Sequence, residues 1–113
     1  MNKLIGKLGE EIACRYLIQQ NYKILERNFA TKFAEADIIA FKNNTLIIVE
    51  VKTRKNFDIL YASQAVDYKK IRNLKTIALY YINKNNLFDY DIRFDIIECY
   101  WEFKKINHII NAF

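Results

Sequence analysis

Two apolar runs separated by a pair of asparagines constrain this chain more than any other feature. The runs occupy residues 38–41 and 46–49, and Asn43–Asn44 lies between them. Asparagine tolerates a positive φ, so a two-residue turn between apolar runs is typical of a tight β-hairpin. We therefore predict antiparallel strands over about residues 34–42 and 45–53.

The register of this hairpin determines which charged residues meet at its open end. If the two asparagines form the turn, Asp37 lies opposite Glu50, and Glu35 lies opposite Lys52. Directly opposed side chains have Cβ atoms about 4.5–5.5 Å apart, and like charges so placed destabilise a sheet. The carboxylate pair needs a compensating charge, for which a divalent cation is the simplest candidate.

The second strand also suggests that these charges are not on an ordinary surface. Glu50 and Lys52 continue the side-chain row of Leu46 and Ile48, because side chains alternate faces along a strand. Both faces of this strand begin apolar, which is typical of a strand covered on both sides. Charges in such a row are costly unless they are paired or bind a metal. The alternative is a strand end where Glu50 and Lys52 neutralise each other at the surface.

Composition bounds the class of protein. The chain has 113 residues, no proline and two glycines, and 52% of it is hydrophobic. These values predict one packed domain over residues 1–113 and exclude disordered and collagen-like classes.

No apolar stretch approaches the roughly 20 residues of a membrane span, and Glu10 and Glu11 interrupt the N-terminal region, so we expect a cytoplasmic protein without a membrane partner. Cys14 and Cys99 are isolated, which favours reduced, buried thiols.

A net charge of +5 permits a polyanionic partner without requiring one. Cations in the second predicted helix could contact phosphates, and Gln64 at its start could reach a phosphate or a water. The alternative is a solvated helix face. The cations are Lys69, Lys70, Arg72 and Lys75.

Hydrophobic periodicity predicts the order αβββαβ with one further strand. The first helix covers about residues 3–20, and the second runs from Ser63, a plausible N-cap, to about residue 83 before the stop at Asn85–Asn86. The strands outside the hairpin are expected at residues 22–29, 90–101 and 104–110. His108 is the only histidine, which favours a structural role, and Arg93 and Asp95 are interpreted as an internal ion pair.

Several segments, taken together in order and spacing, resemble the YraN-type family of small bacterial proteins, and more broadly the PD-(D/E)-x-K nucleases that include the archaeal Holliday junction resolvases. The resemblance runs nearly end to end. Its most specific motif is Glu50-Val51-Lys52-Thr53-Arg54. The other matching segments are Gly6–Glu10 with Ala13, Tyr22–Asn28, Glu35–Ala40, Ala65–Val66 with Lys70 and Leu74, Arg93–Asp95 and Asn111–Phe113.

The resemblance implies a restriction endonuclease-like α/β fold, with an αβββαβ core and a central mixed sheet flanked by helices. It implies a Mg²⁺- or Mn²⁺-dependent endonuclease acting on DNA, with branched DNA among the candidate substrates and a homodimer among the candidate assemblies. Asp37 and Glu50 would bind the metal, Lys52 would orient water or stabilise charge, and Glu10 would add a further acidic group. The Val51 carbonyl is a candidate third oxygen ligand.

Two departures from the family pattern affect the substrate loops. Ala34 stands where the family has a glycine, and residues 57–61 lack the glycine common before the second helix. Neither departure removes a catalytic side chain. Two alternative functions remain. One is a DNA-binding module with a vestigial nuclease site, and the other is an interaction protein whose acidic cluster is structural.

Overall fold

The computed structural model describes residues 3–55 and 67–113. Within them the chain forms two helices and five strands, and the strands make one mixed sheet in the order β1-β2-β3-β4-β5. The strands β3 and β4 are parallel, and the other neighbours are antiparallel. The elements are α1 (Lys3–Gln19), β1 (Lys23–Ala30), β2 (Glu35–Lys42), β3 (Thr45–Arg54), α2 (Tyr68–Asn85), β4 (Asp91–Tyr100) and β5 (Lys105–Ile109). The predicted α/β fold with a central mixed sheet is confirmed.

The predicted hairpin turn is present. Asn43 and Asn44 have φ values of 51° and 59°, and Lys42 pairs with Thr45 directly across the turn. Two successive left-handed residues define a type I′ turn, whose twist matches that of the flanking strands. The turn therefore fixes the register of β2 and β3, although it lies at the opposite end of the hairpin from Asp37 and Glu50.

Each face of the sheet is covered by one helix. On one face α1 contributes Ala13 and Leu17 to a core with Ile47 and Val49 of β3. On the other face α2 packs Leu74, Ile77, Ala78, Tyr81 and Ile82 over Leu46 and Ile48. The central strand is therefore buried on both sides, as its apolar run predicted. None of the described helices is long and apolar enough to cross a membrane.

Gly9 allows α1 to approach the end of β3. A Cβ atom at Gly9 would collide with the Thr53 hydroxyl, whereas a Cβ at Gly6 would meet no atom within 4 Å. The Cys99 thiol also donates to the Gly9 carbonyl at 3.4 Å. Close packing of α1 on β3 therefore depends on the absence of a side chain at Gly9, whereas a Cβ at Gly6 would extend into open space. Cys14 and Cys99 are both free and buried, as expected.

A buried network ties β4 to β5. Asp95 is fully buried, and it accepts two hydrogen bonds of 2.9 Å from Arg93, one of 3.0 Å from the Asn111 amide, and contacts His108 Nε2 at 2.7 Å. Burial raises the pKa of Asp95, but these partners outweigh it and hold the pKa below its usual range. The predicted ion pair is confirmed. The other ring nitrogen of His108 contacts the Tyr16 hydroxyl at 3.0 Å, so the histidine links three elements.

The second helix begins later in the structure than the sequence predicted. Asp67 is the N-cap of α2, and its side chain accepts from the Lys70 amide at 2.8 Å. Ser63, the predicted N-cap, and the family-matching segment Ala65–Val66 lie outside the described residues. The predicted stop is confirmed, because Asn86 caps the helix in a left-handed conformation.

The two glycines of α1 make a matched pair for testing its packing. Gly9→Ala is expected to lower the free energy of unfolding by about 1–3 kcal/mol, because the added methyl collides with Thr53. Gly6→Ala is expected to raise it by up to about 1 kcal/mol, because only helix propensity changes there. Urea denaturation of both variants measures the difference. Equal effects at the two positions would contradict the close approach of α1 to β3.

Candidate active site

The ladder between β2 and β3 stops just before the charged end of the hairpin. Its last pair is Ile38 with Val49, and one step further the Val51 amide donates to Asp37 Oδ2 at 2.8 Å. The Asp37 side chain thus accepts a hydrogen bond from the backbone of the facing strand. The ladder keeps the predicted register as far as Ile38 and Val49, and the carboxyl groups of Asp37 and Glu50 lie close enough to interact, as that register predicted. The backbone pairs themselves end before Asp37 and Glu50, and before Glu35 and Lys52.

Side-chain alternation along β2 breaks at the same residue. Ala36 belongs to the core beneath α2, whereas Ile38 belongs to the core beneath α1. Regular alternation would place both residues on one face. Opposite this break, Asn28 of β1 has a left-handed backbone with φ 51°. Both β1 and β2 are therefore irregular at this level of the sheet. As a result, Asp37 lies where the β2 side chains change from one face to the other.

Glu50 is buried among cations. Its side chain is 4% exposed, and its Oε1 lies 3.2 Å from Lys70 Nζ and 3.7 Å from Lys52 Nζ. Its other oxygen, Oε2, is buried without a hydrogen-bond partner among the described residues. The alternative of a surface salt bridge is right about the Glu50–Lys52 ion pair but wrong about its location. The pair is formed by a buried carboxylate, and Glu50 Oε2 remains unsatisfied among the described residues.

The two carboxyl groups share an environment that resists double ionisation. Burial, followed by the charge of Asp37, raises the pKa of Glu50 from 4.5 to about 7, although Lys70 and Lys52 oppose the shift. Burial also raises the pKa of Asp37, while the Val51 amide and Lys70 lower it. Paired carboxylates with raised pKa values at a sheet end are typical of functional sites.

A second pair of carboxylates adjoins the first. With its amide oriented to satisfy both, Asn28 donates to Glu10 Oε1 at 3.0 Å and to Glu35 Oε1 at 3.2 Å. The pKa of Glu10 is raised by burial and by the charges of Asp37 and Glu35. The structure therefore brings Glu10 of α1 into electrostatic contact with the hairpin carboxylates, as the resemblance implied.

The donor set suits a hard divalent cation. Mg²⁺ binds oxygen ligands and takes only one or two protein carboxylates, the rest being waters and substrate phosphates. Asp37 and Glu50 provide two carboxylates, and the unsatisfied Glu50 Oε2 is a buried acceptor that a cation would satisfy. Among residues 3–55 and 67–113, no group of three His, Cys, Asp or Glu side chains could by itself hold a metal, so water and substrate would complete the shell.

The cations predicted on the second helix divide into two sets. Lys69, Arg72 and Lys75 are exposed on α2, where they could meet a polyanion. Lys70 instead contacts Glu50 directly. Gln64 lies outside the described residues. The sequence assigned Lys70 to phosphate contact alone, and its part in the carboxylate site was missed because no local spacing relates residue 70 to residue 50.

The role of Asn28 could not be predicted from the sequence pattern either. Its amide joins two carboxylates contributed by α1 and β2. The single available signal was the residue type, because asparagine adopts the left-handed conformation more readily than most residues. That signal identifies a backbone irregularity but cannot identify the side-chain partners.

Fold and site together place this chain among α/β proteins with a restriction endonuclease-like αβββαβ core. The chain belongs to the family described as Uncharacterised protein family UPF0102, whose model matches residues 9–99. A UPF0102 protein of Clostridioides difficile strain 630 is 47% identical over 112 residues, covering 99% of this chain and 98% of the relative.

Two other UPF0102 proteins match this chain to a similar extent. One from Caldanaerobacter subterraneus subsp. tengcongensis is 45% identical over 116 residues, covering 98% of this chain and 95% of the relative. One from Thermodesulfovibrio yellowstonii is 46% identical over 109 residues, covering 96% and 95%. The resemblance to the YraN-type family is thus confirmed over nearly the whole chain.

The raised pKa of Glu50 predicts a pH dependence of stability. Between the ordinary value of 4.5 and about 7, folded Glu50 retains a proton that the unfolded chain releases. Metal-free protein should therefore lose stability as pH rises through this window, by a few kcal/mol at most, and lose no more above it.

Glu50→Gln should remove this loss, since glutamine does not titrate. Urea denaturation in EDTA across the window compares variant with parent, and the difference between them reports the ionisation of Glu50 together with its effect on Asp37. Parallel profiles for the two proteins would contradict the shifted ionisation of Glu50.

Proposed function

We propose that this protein is a metal-dependent endonuclease that hydrolyses phosphodiester bonds in DNA. The observation that carries the proposal is the buried Asp37–Glu50 site. One carboxylate oxygen there has no hydrogen-bond partner within residues 3–55 and 67–113, and two lysine ammonium groups lie close by. Such a combination of acceptors for a cation and donors for a phosphate suits phosphoryl chemistry. The proposed location is the cytoplasm, in keeping with two free, buried cysteines.

The two carboxylates would hold the metal, with the Val51 carbonyl as a candidate third ligand. When bound, Mg²⁺ or Mn²⁺ supplies polarisation of the scissile phosphate and a lowered pKa for a coordinated water. The chain's own contribution is position. Asp37 is fixed by the Val51 amide, and Glu50 is fixed by the packed strand in which it lies. Glu10 adds negative potential at the margin of this pair.

Two lysines would neutralise charge on the phosphate. Lys52 is 30% exposed and Lys70 is 40% exposed, so both ammonium groups reach from a buried carboxylate toward solvent. A compact ammonium stabilises the charge that accumulates on phosphate oxygens as the phosphodiester bond breaks. Because both lysines contact Glu50 Oε1, a cation bound at this carboxylate would weaken their hold on it and favour their transfer to substrate.

The rival function is a DNA-binding module with an inactive site. It shares the exposed cations Lys69, Arg72 and Lys75 but assigns no chemistry to the carboxylates. Cleavage of linear, nicked and four-way DNA substrates in Mg²⁺ or Mn²⁺ separates the two functions. Salt-sensitive binding without cleavage on any of these substrates would support the rival.

Lys52→Ala is expected to lower the cleavage rate by at least about a hundredfold, because the variant loses charge stabilisation at the phosphate while keeping both carboxylates. The far-edge variant Lys23→Ala, which removes an exposed charge from β1, is the control and should retain activity. Single-turnover cleavage measures both. A fully active Lys52→Ala protein would remove this lysine from the mechanism.

Asp37→Asn tests the carboxylate pair without cleavage. Asparagine keeps an oxygen for the Val51 amide but removes a buried charge, so metal-free variant should be at least as stable as metal-free parent. The parent should gain stability with excess Mn²⁺ according to RT ln(1 + [L]/Kd), and the variant should gain little.

Thermal melts in EDTA and in Mn²⁺ provide the measurement. A structural ion-pair role for Asp37 predicts the reverse pattern, with the variant less stable under both conditions. A parent melting temperature that ignores Mn²⁺, beside a clearly weaker variant, would contradict the metal assignment.

A further inference from the structure

An apolar groove opens between α1 and the turn that joins β4 to β5. Its volume is about 410 Å³, within the range of small-molecule sites. One wall is the α1 stripe of Ile5, Leu8 and Ile12, and the other includes Trp101 and Ile106. This groove lies on the α1 face of the sheet, whereas Glu50 and Lys52 belong to the face beneath α2.

The groove exposes large apolar side chains. Trp101 is 38% exposed, Ile106 is 36% exposed and Leu8 is 55% exposed. Exposed apolar side chains grouped around a cavity mark a binding surface more often than singly scattered ones do. The tryptophan supplies the broad aromatic face on which a planar ligand can stack.

The turn that carries the tryptophan is fixed to the end of β3. The Trp101 amide donates to the Arg54 carbonyl at 3.0 Å, and the Glu102 amide donates to the Lys55 carbonyl at 3.1 Å. Lys104 closes the turn with a left-handed φ of 53°, a conformation that costs energy in a residue with a side chain. The backbone that carries the tryptophan is therefore tied to the end of β3 by two hydrogen bonds.

The charges at this groove indicate an anionic occupant. Lys104 and Lys105 both line it and are exposed, and none of its described lining residues is acidic. Glu102 stands in the same turn but does not line the groove. Two ammonium groups beside an aromatic wall combine stacking with phosphate attraction, which is how proteins hold unpaired nucleic-acid strands.

The groove also lies at the same end of the sheet as the carboxylates. Its lining includes Gly9 and Thr53, which are the chain neighbours of Glu10 and Lys52. Because adjacent strand residues point to opposite faces, the groove and the carboxylates lie on the two sides of the β3 end. A strand passing around this end could reach both.

We propose that the groove between α1 and the β4–β5 turn binds an unpaired nucleic-acid strand, with a base stacked on Trp101 and phosphates on Lys104 and Lys105. Bases within a duplex are already stacked on each other, so only an unpaired segment can offer a free face to the tryptophan. The inference rests on the proposed nuclease function and narrows its substrate to DNA that carries an unpaired segment.

Trp101 is the only tryptophan, so its fluorescence reports on this groove alone. The test titrates the full chain in EDTA with a short oligothymidine and with a duplex of the same length. We expect saturable quenching by the oligothymidine and at least several-fold weaker quenching by the duplex. Equal responses to the two ligands, or no response to either, would overturn the proposal.

Variants test the contacts. Lys104→Ala/Lys105→Ala should weaken quenching several-fold, while Lys23→Ala/Lys84→Ala removes two exposed charges from other surfaces and should leave it near the parent value. Trp101→Leu keeps an apolar wall but loses the stacking face, so anisotropy of a labelled oligothymidine should show an affinity loss of about tenfold or more. Unchanged affinity in both groove variants would overturn the assignment.

A second copy of the chain is the competing occupant. In that case Trp101 fluorescence would change with protein concentration in the absence of DNA, and oligothymidine would compete poorly or not at all, which would also overturn the proposal. Failure of the nuclease function is distinguishable. Quenching that persists without cleavage in Mg²⁺ retains the groove and rejects the enzyme, whereas cleavage without quenching rejects the groove alone.

Discussion

Glu50 lies in the row of β3 side chains that otherwise forms the core beneath α2, and much of the surrounding structure offsets the cost of burying it there. A buried carboxylate is several kcal/mol unfavourable unless charges and donors compensate. Lys52 reaches it from its own strand, and Lys70 reaches it from α2. The compensation is incomplete, because Oε2 remains without a partner among the described residues. That residual cost makes this site responsive to a cation.

Asp95 and Glu50 are both buried, but they differ in how completely their oxygens are hydrogen-bonded. This difference distinguishes a structural carboxylate from one that is available for chemistry. Asp95 accepts hydrogen bonds from Arg93 and Asn111 and contacts His108, so its pKa is held low and its charge is fully used within the fold. Glu50 has a raised pKa, and its Oε2 accepts no hydrogen bond from the part of the chain that the structure describes. Both residues are buried in the same sheet, and burial alone would not tell them apart. The completeness of their hydrogen bonding does.

Much of the fold could be predicted from local pattern. The hairpin register followed from Asn43–Asn44, the central strand from its apolar run, and the Arg93–Asp95 pair from their shared strand face. These features depend on periodicity and turn chemistry, which neighbouring residues encode. The hydrogen bond from the Val51 amide to Asp37 could not be predicted in this way, because strand periodicity contains no information about a side chain that accepts from the facing backbone.

The remote contacts of the site could not be predicted in the same way. Lys70 meets Glu50 only because α2 packs over β3, and Asn28 meets Glu10 only because α1 packs near β1 and β2. Both pairs depend on the angle at which a helix crosses the sheet. Residue type suggested that these side chains were polar and available, but not what they would touch.

The turn at Asn43–Asn44 has an influence that extends beyond its own neighbourhood. Glu50 lies six positions beyond Asn44 along an extended strand, a span of about 20 Å. Because side chains alternate with a period of two, inserting or deleting one residue in the turn would rotate the far end of the strand by half a repeat and carry Glu50 to the face beneath α1. The two asparagines at the opposite end of the strand therefore decide which side of the sheet the carboxylate occupies. Length changes in this short loop are constrained as tightly as substitutions in the site itself.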